Sequence, residues 1–417
     1  MMKETKYLNK ILASILVVIL SVCFLTGFAP IEKNKWIGSW NTSAVSFANM
    51  QNNGFFNYKD QTLRTIVTLS YGGTQERIKF SNEYGTGNLE IGAASVAIVD
   101  KNGVAKKNTI KNITFNGKEE IVIEDGEYVW SDPINLTVRS QDRIAVSTYL
   151  PSQMITPTGG CGNVEAYVSP KGNYTLADST QENYTPIVIN DYPNISLFVT
   201  SIEVCAPEST RTAIVFGDSI SALSWPEYFT EKLNKNGIND LAVIRETIVG
   251  NRILHDTVEN LHGLFGASGV SRFEKAITGH PGAEYVVVLE GINDIMSTGP
   301  GGTSPNNEIV SAEQIIDGLQ IYIDLAHKHG LKIYGATIMP FEGHLSYTEE
   351  EENVRQEVNK WIRSGGKFDA VIDFDMITRN PSNIKQLLPA YDSGDHVHPS
   401  EVGSAAMADA IDVELFR

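Results

Sequence analysis

Two hydrophobic periods divide this chain near residue 208. From Trp36 to about Val204, apolar and polar residues alternate in short runs, the period of half-buried strands. The runs are Leu63–Tyr71, Arg77–Ser81, Ala94–Val99, Ile110–Phe115, Glu120–Ile123, Arg143–Leu150 and Ser196–Val204. Clusters such as Tyr71-Gly72-Gly73, Asp100-Lys101-Asn102-Gly103 and Asn116-Gly117 separate them as turns. Many short strands with such turns predict an all-β sandwich, jelly-roll-like in outline. Ala206-Pro207-Glu208-Ser209 then reads as a polar hinge. Beyond it the pattern changes to apolar, β-branched runs alternating with helical faces. The predicted strands are Thr212–Phe216, Leu241–Val249, Glu284–Leu289, Leu331–Ile338 and Ala370–Phe374. The predicted helices are Trp225–Asn236, Val270–Thr278, Ala312–His329, Glu349–Arg363 and a closing Ser400–Leu415. In the third of these Ile315, Leu319, Tyr322, Ile323 and Ala326 share a face; Ser311-Ala312-Glu313-Gln314 reads as a capping box and Gly330 as a stop. Strands alternating with helices predict a mostly parallel sheet covered on both faces.

Composition refines this picture. At 417 residues the chain is long enough for two domains, and the change of period divides it into 30–208 and 209–417. Residues 1–29 read as an export signal: Lys3, Lys6 and Lys10 precede the mostly apolar Ile11–Phe28, and Gly27 and Ala29 offer a small-residue cleavage site. Pro30 argues against cleavage at that bond, and the run is long enough to stay as an anchor. Leu20-Ser21-Val22-Cys23 departs from a lipoprotein box at the bulky Val22. The formal net charge of −17 argues against nucleic acid and anionic membrane surfaces as partners. Outside the signal only Cys161 and Cys205 remain; in an exported protein they either pair or stay as free thiols.

The candidate chemistry lies in the second half. Residues 30–208 contain no histidine, so a histidine base must come from beyond the hinge. Gly217-Asp218-Ser219 breaks the first parallel strand just before a helix start at Ser224-Trp225-Pro226-Glu227. Open α/β sheets place reactive groups at such a carboxyl-end turn. The loops Ile248-Val249-Gly250-Asn251-Arg252 and Glu290-Gly291-Ile292-Asn293-Asp294 follow the next two strands and belong on the same rim. A serine needs a base to take its proton, and the base needs an acceptor on its other nitrogen. Asp395, three residues before His398, can orient that imidazole locally. The Gly250 N–H, the Asn293 amide and the Ser219 N–H are candidate donors to an oxyanion. His396 is the rival base, but its side chain projects elsewhere than that of its neighbour Asp395. His327 and His329 read as solvated; His255, His262, His280 and His344 are scattered without ligand spacing. No HExxH, CxxC, Walker loop or GxSxG occurs, so neither a metal nor a cofactor is expected.

Taken in order, Gly217-Asp218-Ser219, Gly250-Asn251, Gly291-Ile292-Asn293-Asp294 and Asp395-x-x-His398-Pro399 resemble the four blocks of the SGNH (GDSL-type) hydrolases, from about Thr212 to Arg417. Ile220 stands where leucine names the first motif. The resemblance implies a flavodoxin-like three-layer α/β/α fold. It also implies an ester hydrolase with Ser219 as nucleophile, His398 and Asp395 activating it, and Ser219, Gly250 and Asn293 as the oxyanion hole. Leu63–Ala97, with Phe80-Ser81-Asn82-Glu83-Tyr84-Gly85 and Ile91-Gly92-Ala93-Ala94, is similar to the front half of a two-domain subgroup that includes acylhydrolases of xylan-degrading systems. That implies a secreted or surface-attached esterase removing short, acetyl-type acyl groups from polysaccharide or glycoside. A lipolytic esterase or lysophospholipase with the same residues is the nearest alternative. An inactive carbohydrate-binding wall protein is the alternative from another class.

Overall fold

The computed structural model describes residues 33–180, 184–188, 195–258, 261, 263–300 and 302–417. The proposed export segment, Cys23 and His262 lie outside them. Among the described residues no helix is long and apolar enough to cross a membrane.

The chain is a mixed α/β protein whose N-terminal region is rich in sheet. In that region a four-stranded sheet joins Asn34–Asn41, Val199–Pro207, Glu76–Ser81 and Tyr128–Trp130, in that order. A six-stranded sheet runs Thr185–Pro186, Glu165–Lys171, Gln61–Thr68, Arg143–Leu150, Ala93–Val99 and Lys111–Ile113. All of these pairings are antiparallel. Alternation puts Ile37, Val67, Ile78, Phe80, Val96, Ile144 and Val146 into one apolar cluster. The run Ser196–Val204 is not one strand, as its pattern suggests, but two, Ile195–Leu197 and Val199–Pro207. Phe198 between them has φ +66° and turns its N–H to the Thr158 carbonyl at 2.8 Å. An aromatic residue in the left-handed region is held there by tertiary contacts that no local pattern announces. Cys161 and Cys205 are both free thiols; burial pushes the Cys161 thiol up to about 12.

In the second half five parallel strands stand in the order Leu241–Thr247, Arg211–Gly217, Ala283–Leu289, Lys332–Ala336 and Ala370–Ile372. Their shared direction gathers all their carboxyl ends, and the loops that follow them, on one rim. Phe216 on the Arg211–Gly217 strand packs edge-on against Phe273 at 4.9 Å, and Phe273 stacks on Tyr322 at 4.4 Å. These rings tie the helices Gly269–Thr278 and Ala312–Lys328 to the sheet. The Ser311 and Gln314 capping box opens the latter helix as its sequence predicts. Ser224 precedes the Trp225–Lys235 helix with αR backbone and no side-chain cap; its hydroxyl donates to Glu401 at 2.8 Å.

Several predicted elements are shorter than their patterns, and two of them give way to a new turn at an aspartate. The last strand ends at Ile372, where Asp373 accepts the Met376 N–H and starts a helix over Phe374–Thr378. The closing helix runs only over Glu401–Ala410; Ile411 turns extended, and Asp412 caps a separate 3₁₀ turn, Val413–Phe416. In both places a local aspartate offers the backbone an alternative partner.

Candidate active site

The first rim loop is made by close approach. A Cβ at Gly217 would stand 2.1 Å from the Leu289 carbonyl oxygen, so the strand can end there only as glycine. Asp218 then accepts the Ile220 N–H at 3.0 Å and caps the short helix Ser219–Ala222. Ser219 is 7% exposed. Its Oγ lies 2.7 Å from Nε2 of His398, a residue 179 positions away.

The His398 ring is held from its other side. Nδ1 is 2.6 Å from Oδ2 of Asp395. The second oxygen of that carboxylate accepts the N–H groups of Val397 at 3.0 Å and His398 at 2.8 Å, and the Ser393 hydroxyl at 3.1 Å. Burial would raise the Asp395 pKa, but the His398 bond and charge and these backbone donors outweigh it. They hold the carboxyl well below the usual carboxylate range. An ionised Asp395 keeps the proton on Nδ1, which leaves Nε2 to accept from the serine. His396 takes no part in this line. Its backbone has φ +67°, and its ring pairs with Asp392 at 2.6 Å.

The second and third rim loops are knotted to each other. Gly250 has φ +72°, and a Cβ there would meet the Phe265 ring at 2.5 Å. The fully buried Asn251 donates to the carbonyls of Phe265 and Ala267, both at 2.8 Å, and accepts from Arg272 Nε at 2.8 Å. Its own carbonyl receives one amide hydrogen of Asn293 at 3.0 Å. Asp294 accepts the N–H groups of Ile253 at 2.7 Å and Leu254 at 3.0 Å. The backbone N–H groups of Gly250 and Ser219 hold no hydrogen bond to another described residue. Both are free donors on the rim that carries the serine.

Beneath the serine lie three buried carboxyls, Asp218, Glu290 and Asp294. Burial, together with mutual repulsion, pushes Asp218 and Asp294 up to about 7, and burial also raises Glu290. Arg272, 3.6 Å from Glu290, and the Tyr322 hydroxyl, 2.7 Å from it, partly compensate the cluster. These acids fasten the rim from below. None of these three roles is assigned by the sequence pattern, in which Asp218 and Asp294 stand only as members of their motifs.

The structure thus brings Ser219, Asp395 and His398 into one hydrogen-bonded line and puts Gly250 and Asn293 on loops bound to each other. It also adds His344, which the sequence leaves among the scattered histidines. The signal was available: His344 follows the fourth parallel strand on the same rim. It lines a cavity of about 240 Å³ together with Gly250 and Asn293. His280, by contrast, pairs with Glu246 at 2.6 Å, away from the serine.

Residues 215–406 match the GDSL-like Lipase/Acylhydrolase family. No curated protein matches the chain in sequence. Among solved structures, the chain is similar to a GDSL-like lipase from Bacteroides thetaiotaomicron VPI-5482, at 17% identity and TM-score 0.36, over 49% of this chain and 85% of that one. It is also similar to an acetyl xylan esterase from Geobacillus stearothermophilus, at 19% identity and TM-score 0.38, over 48% of this chain and 93% of that one. A third likeness is to the acetyl xylan esterase AlAXEase, at 20% identity and TM-score 0.36, over 48% and 96% of the two chains.

Proposed function

We propose, from the premise that residues 215–406 are a GDSL-like lipase/acylhydrolase domain and the chain a carboxylic ester hydrolase, that it removes short acyl groups from polysaccharide or glycoside. Acetyl is the acyl group we favour. The observation that carries the reading is the line from Ser219 Oγ through His398 to Asp395, with its 2.7 and 2.6 Å contacts.

In this mechanism Ser219 Oγ attacks the ester carbonyl carbon while His398 Nε2 takes the hydroxyl proton. Asp395 stabilises the imidazolium so formed. The carbonyl oxygen, now negative, receives the N–H groups of Ser219 and Gly250 and the Asn293 amide hydrogen not given to Asn251. The C–O bond to the alcohol breaks, and His398 returns its proton to the departing oxygen. Water, deprotonated by His398, then attacks the acyl carbon; the bond to Ser219 Oγ breaks, His398 returns the proton to that oxygen, and the carboxylic acid leaves. Asn293→Ala is expected to lower kcat about 10²–10³-fold with KM little changed. Steady-state kinetics on 4-nitrophenyl acetate measure this directly.

The remaining features fit the same reading. Residues 1–29 direct export, so the enzyme acts outside the cell, where polymeric substrates lie. Helices on both faces of the parallel sheet make a three-layer, flavodoxin-like catalytic domain over 209–417, and a jelly-roll-like sandwich over 30–208 supports it. The acidic surface suits a neutral polysaccharide rather than a polyanion.

The test is a profile of rate against acyl length, with acetate release from acetylated xylan and mannan and fatty-acid release from a lysophospholipid. We expect kcat/KM on 4-nitrophenyl esters to fall steeply beyond propionyl, and free acetate from at least one polysaccharide. A rate that rises from acetyl to octanoyl, with release of fatty acid from the lysophospholipid, would overturn the reading in favour of a lipolytic esterase.

A further inference from the structure

The loop after the Lys332–Ala336 strand presents His344 with its tautomer set by the backbone. The Ser346 N–H donates to His344 Nδ1 at 3.2 Å. A nitrogen that accepts a hydrogen bond carries no proton, so in the neutral ring the proton sits on Nε2. Burial lowers the pKa of this imidazole; Asp395 opposes that, and the neighbouring His398 and His396 reinforce it. His344 therefore stays neutral, a donor through Nε2–H. That N–H has no partner among the described residues.

The ring lines the cavity of about 240 Å³ that also reaches Gly250 and Asn293. At about 30 Å³ for a water in the liquid, this is room for about eight waters. An acetyl group seated on the oxyanion donors leaves most of it empty. The lining mixes apolar side chains, Leu261, Phe265 and Met296, with the polar Thr257 and Ser304. A sugar ring has that same mixture, apolar C–H faces and hydroxyl edges. Which half of the ester enters is decided by the company of His344. Its loop packs against the turn that carries Asp395 and His398, a Cβ at Gly343 standing 2.8 Å from the His396 ring, so it lies on the side where His398 hands its proton to the departing alcohol.

We infer that this cavity holds the alcohol half of the ester, a sugar ring, and that His344 Nε2–H donates a hydrogen bond to one of that ring's oxygens. His344 is then a substrate-binding residue for the leaving group, not a base. The inference rests on the ester-hydrolase reading above and deepens it.

The test compares full-length His344→Leu and His344→Gln with the parent on two acetyl esters. One is an acetylated xylooligosaccharide; the other is 4-nitrophenyl acetate, whose alcohol has no ring oxygens or hydroxyls to accept. The leucine variant should lose about tenfold in kcat/KM on the sugar ester, mostly through KM, and less than twofold on 4-nitrophenyl acetate. Glutamine, which keeps an N–H donor, should recover part of the loss. Equal losses on both esters, no loss on the sugar ester, or a loss that grows with acyl length would overturn the inference. So would a parent enzyme that cleaves 4-nitrophenyl acetate but no acetylated sugar. A parent that cleaves neither ester would instead overturn the ester-hydrolase reading itself. Should the leucine variant fail to fold, His344→Phe makes the same comparison.

Discussion

Ser219→Ala is expected to lower kcat for 4-nitrophenyl acetate by about 10⁴–10⁶-fold, with KM close to that of the parent. In the proposed mechanism the serine oxygen forms the acyl bond, and its partner His398 stands 2.7 Å away. His398→Ala should cost nearly as much, because the serine then keeps its proton. The double variant should be little worse than either single one, since the two residues act as a unit. The residual rate in all three would come from oxyanion donors and binding alone. Removing the hydroxyl from a site only 7% exposed leaves little strain, so thermal unfolding should barely move. The measurement is steady-state kinetics with a melting curve on each variant. A serine variant keeping more than a hundredth of the parent rate would show that the nucleophile is another group.

Deleting residues 30–208 is expected to send the remaining chain into the insoluble fraction. The two halves share a core. Ala242, Ile248 and Leu264 of the second half belong to the apolar cluster of the first. Uncovering Ile248 and Leu264 alone would cost about 1.5–3 kcal/mol each. The deletion also bares an edge strand. Leu241–Thr247 ends the parallel sheet, and the front half satisfies its flank: Ser70 Oγ accepts the Val243 N–H at 3.3 Å, and Asn41 donates to the Arg245 carbonyl at 2.8 Å. Unpaired edges of that kind recruit other chains. The half-buried Glu246 would lose the Asn41 amide at 2.8 Å and the Ser43 hydroxyl at 2.5 Å, keeping His280. A bared edge strand, uncovered core side chains and a half-buried carboxylate losing partners together exceed what a surface repair can offset. Sedimentation of the expressed fragment, followed by its esterase rate, decides the matter. A soluble, monomeric and active 209–417 would make the front half a separable module, open to a role in glycan binding.

Most elements of the second half were legible because their signals are local. The period of Ala312–Lys328, its capping box and its stop at Gly330 are properties of neighbouring residues, and the helix forms where they say. The front half was less legible. Asn34–Asn41, Thr158–Cys161 and Glu165–Lys171 are strands that no clear alternation announced. Gly159 and Gly160 have no side chains to carry a pattern; Cβ atoms there would stand 2.1 Å from the Ser196 carbonyl and 2.2 Å from the Thr42 hydroxyl. The candidate site divides the same way. Asp395 and His398 sit three residues apart in one turn, so their pairing could be read directly from the chain. His344 had only the weaker signal of following a parallel strand, and its place in the cavity depends on packing between distant loops.

What the sequence determined alone was therefore short-ranged: where strands alternate with helices, which serine follows a strand, and which carboxylate can orient which imidazole. Tertiary structure decided what meets across distance. It set the 2.7 Å approach of Ser219 to His398, the tie from Asn293 to Asn251, the cavity beside His344, and the shared core that joins the halves. The reason is physical. A periodic pattern records what each residue needs from its immediate surroundings, water or core. Which distant loop supplies a partner follows from strand order and loop path, and those emerge only when the whole chain packs.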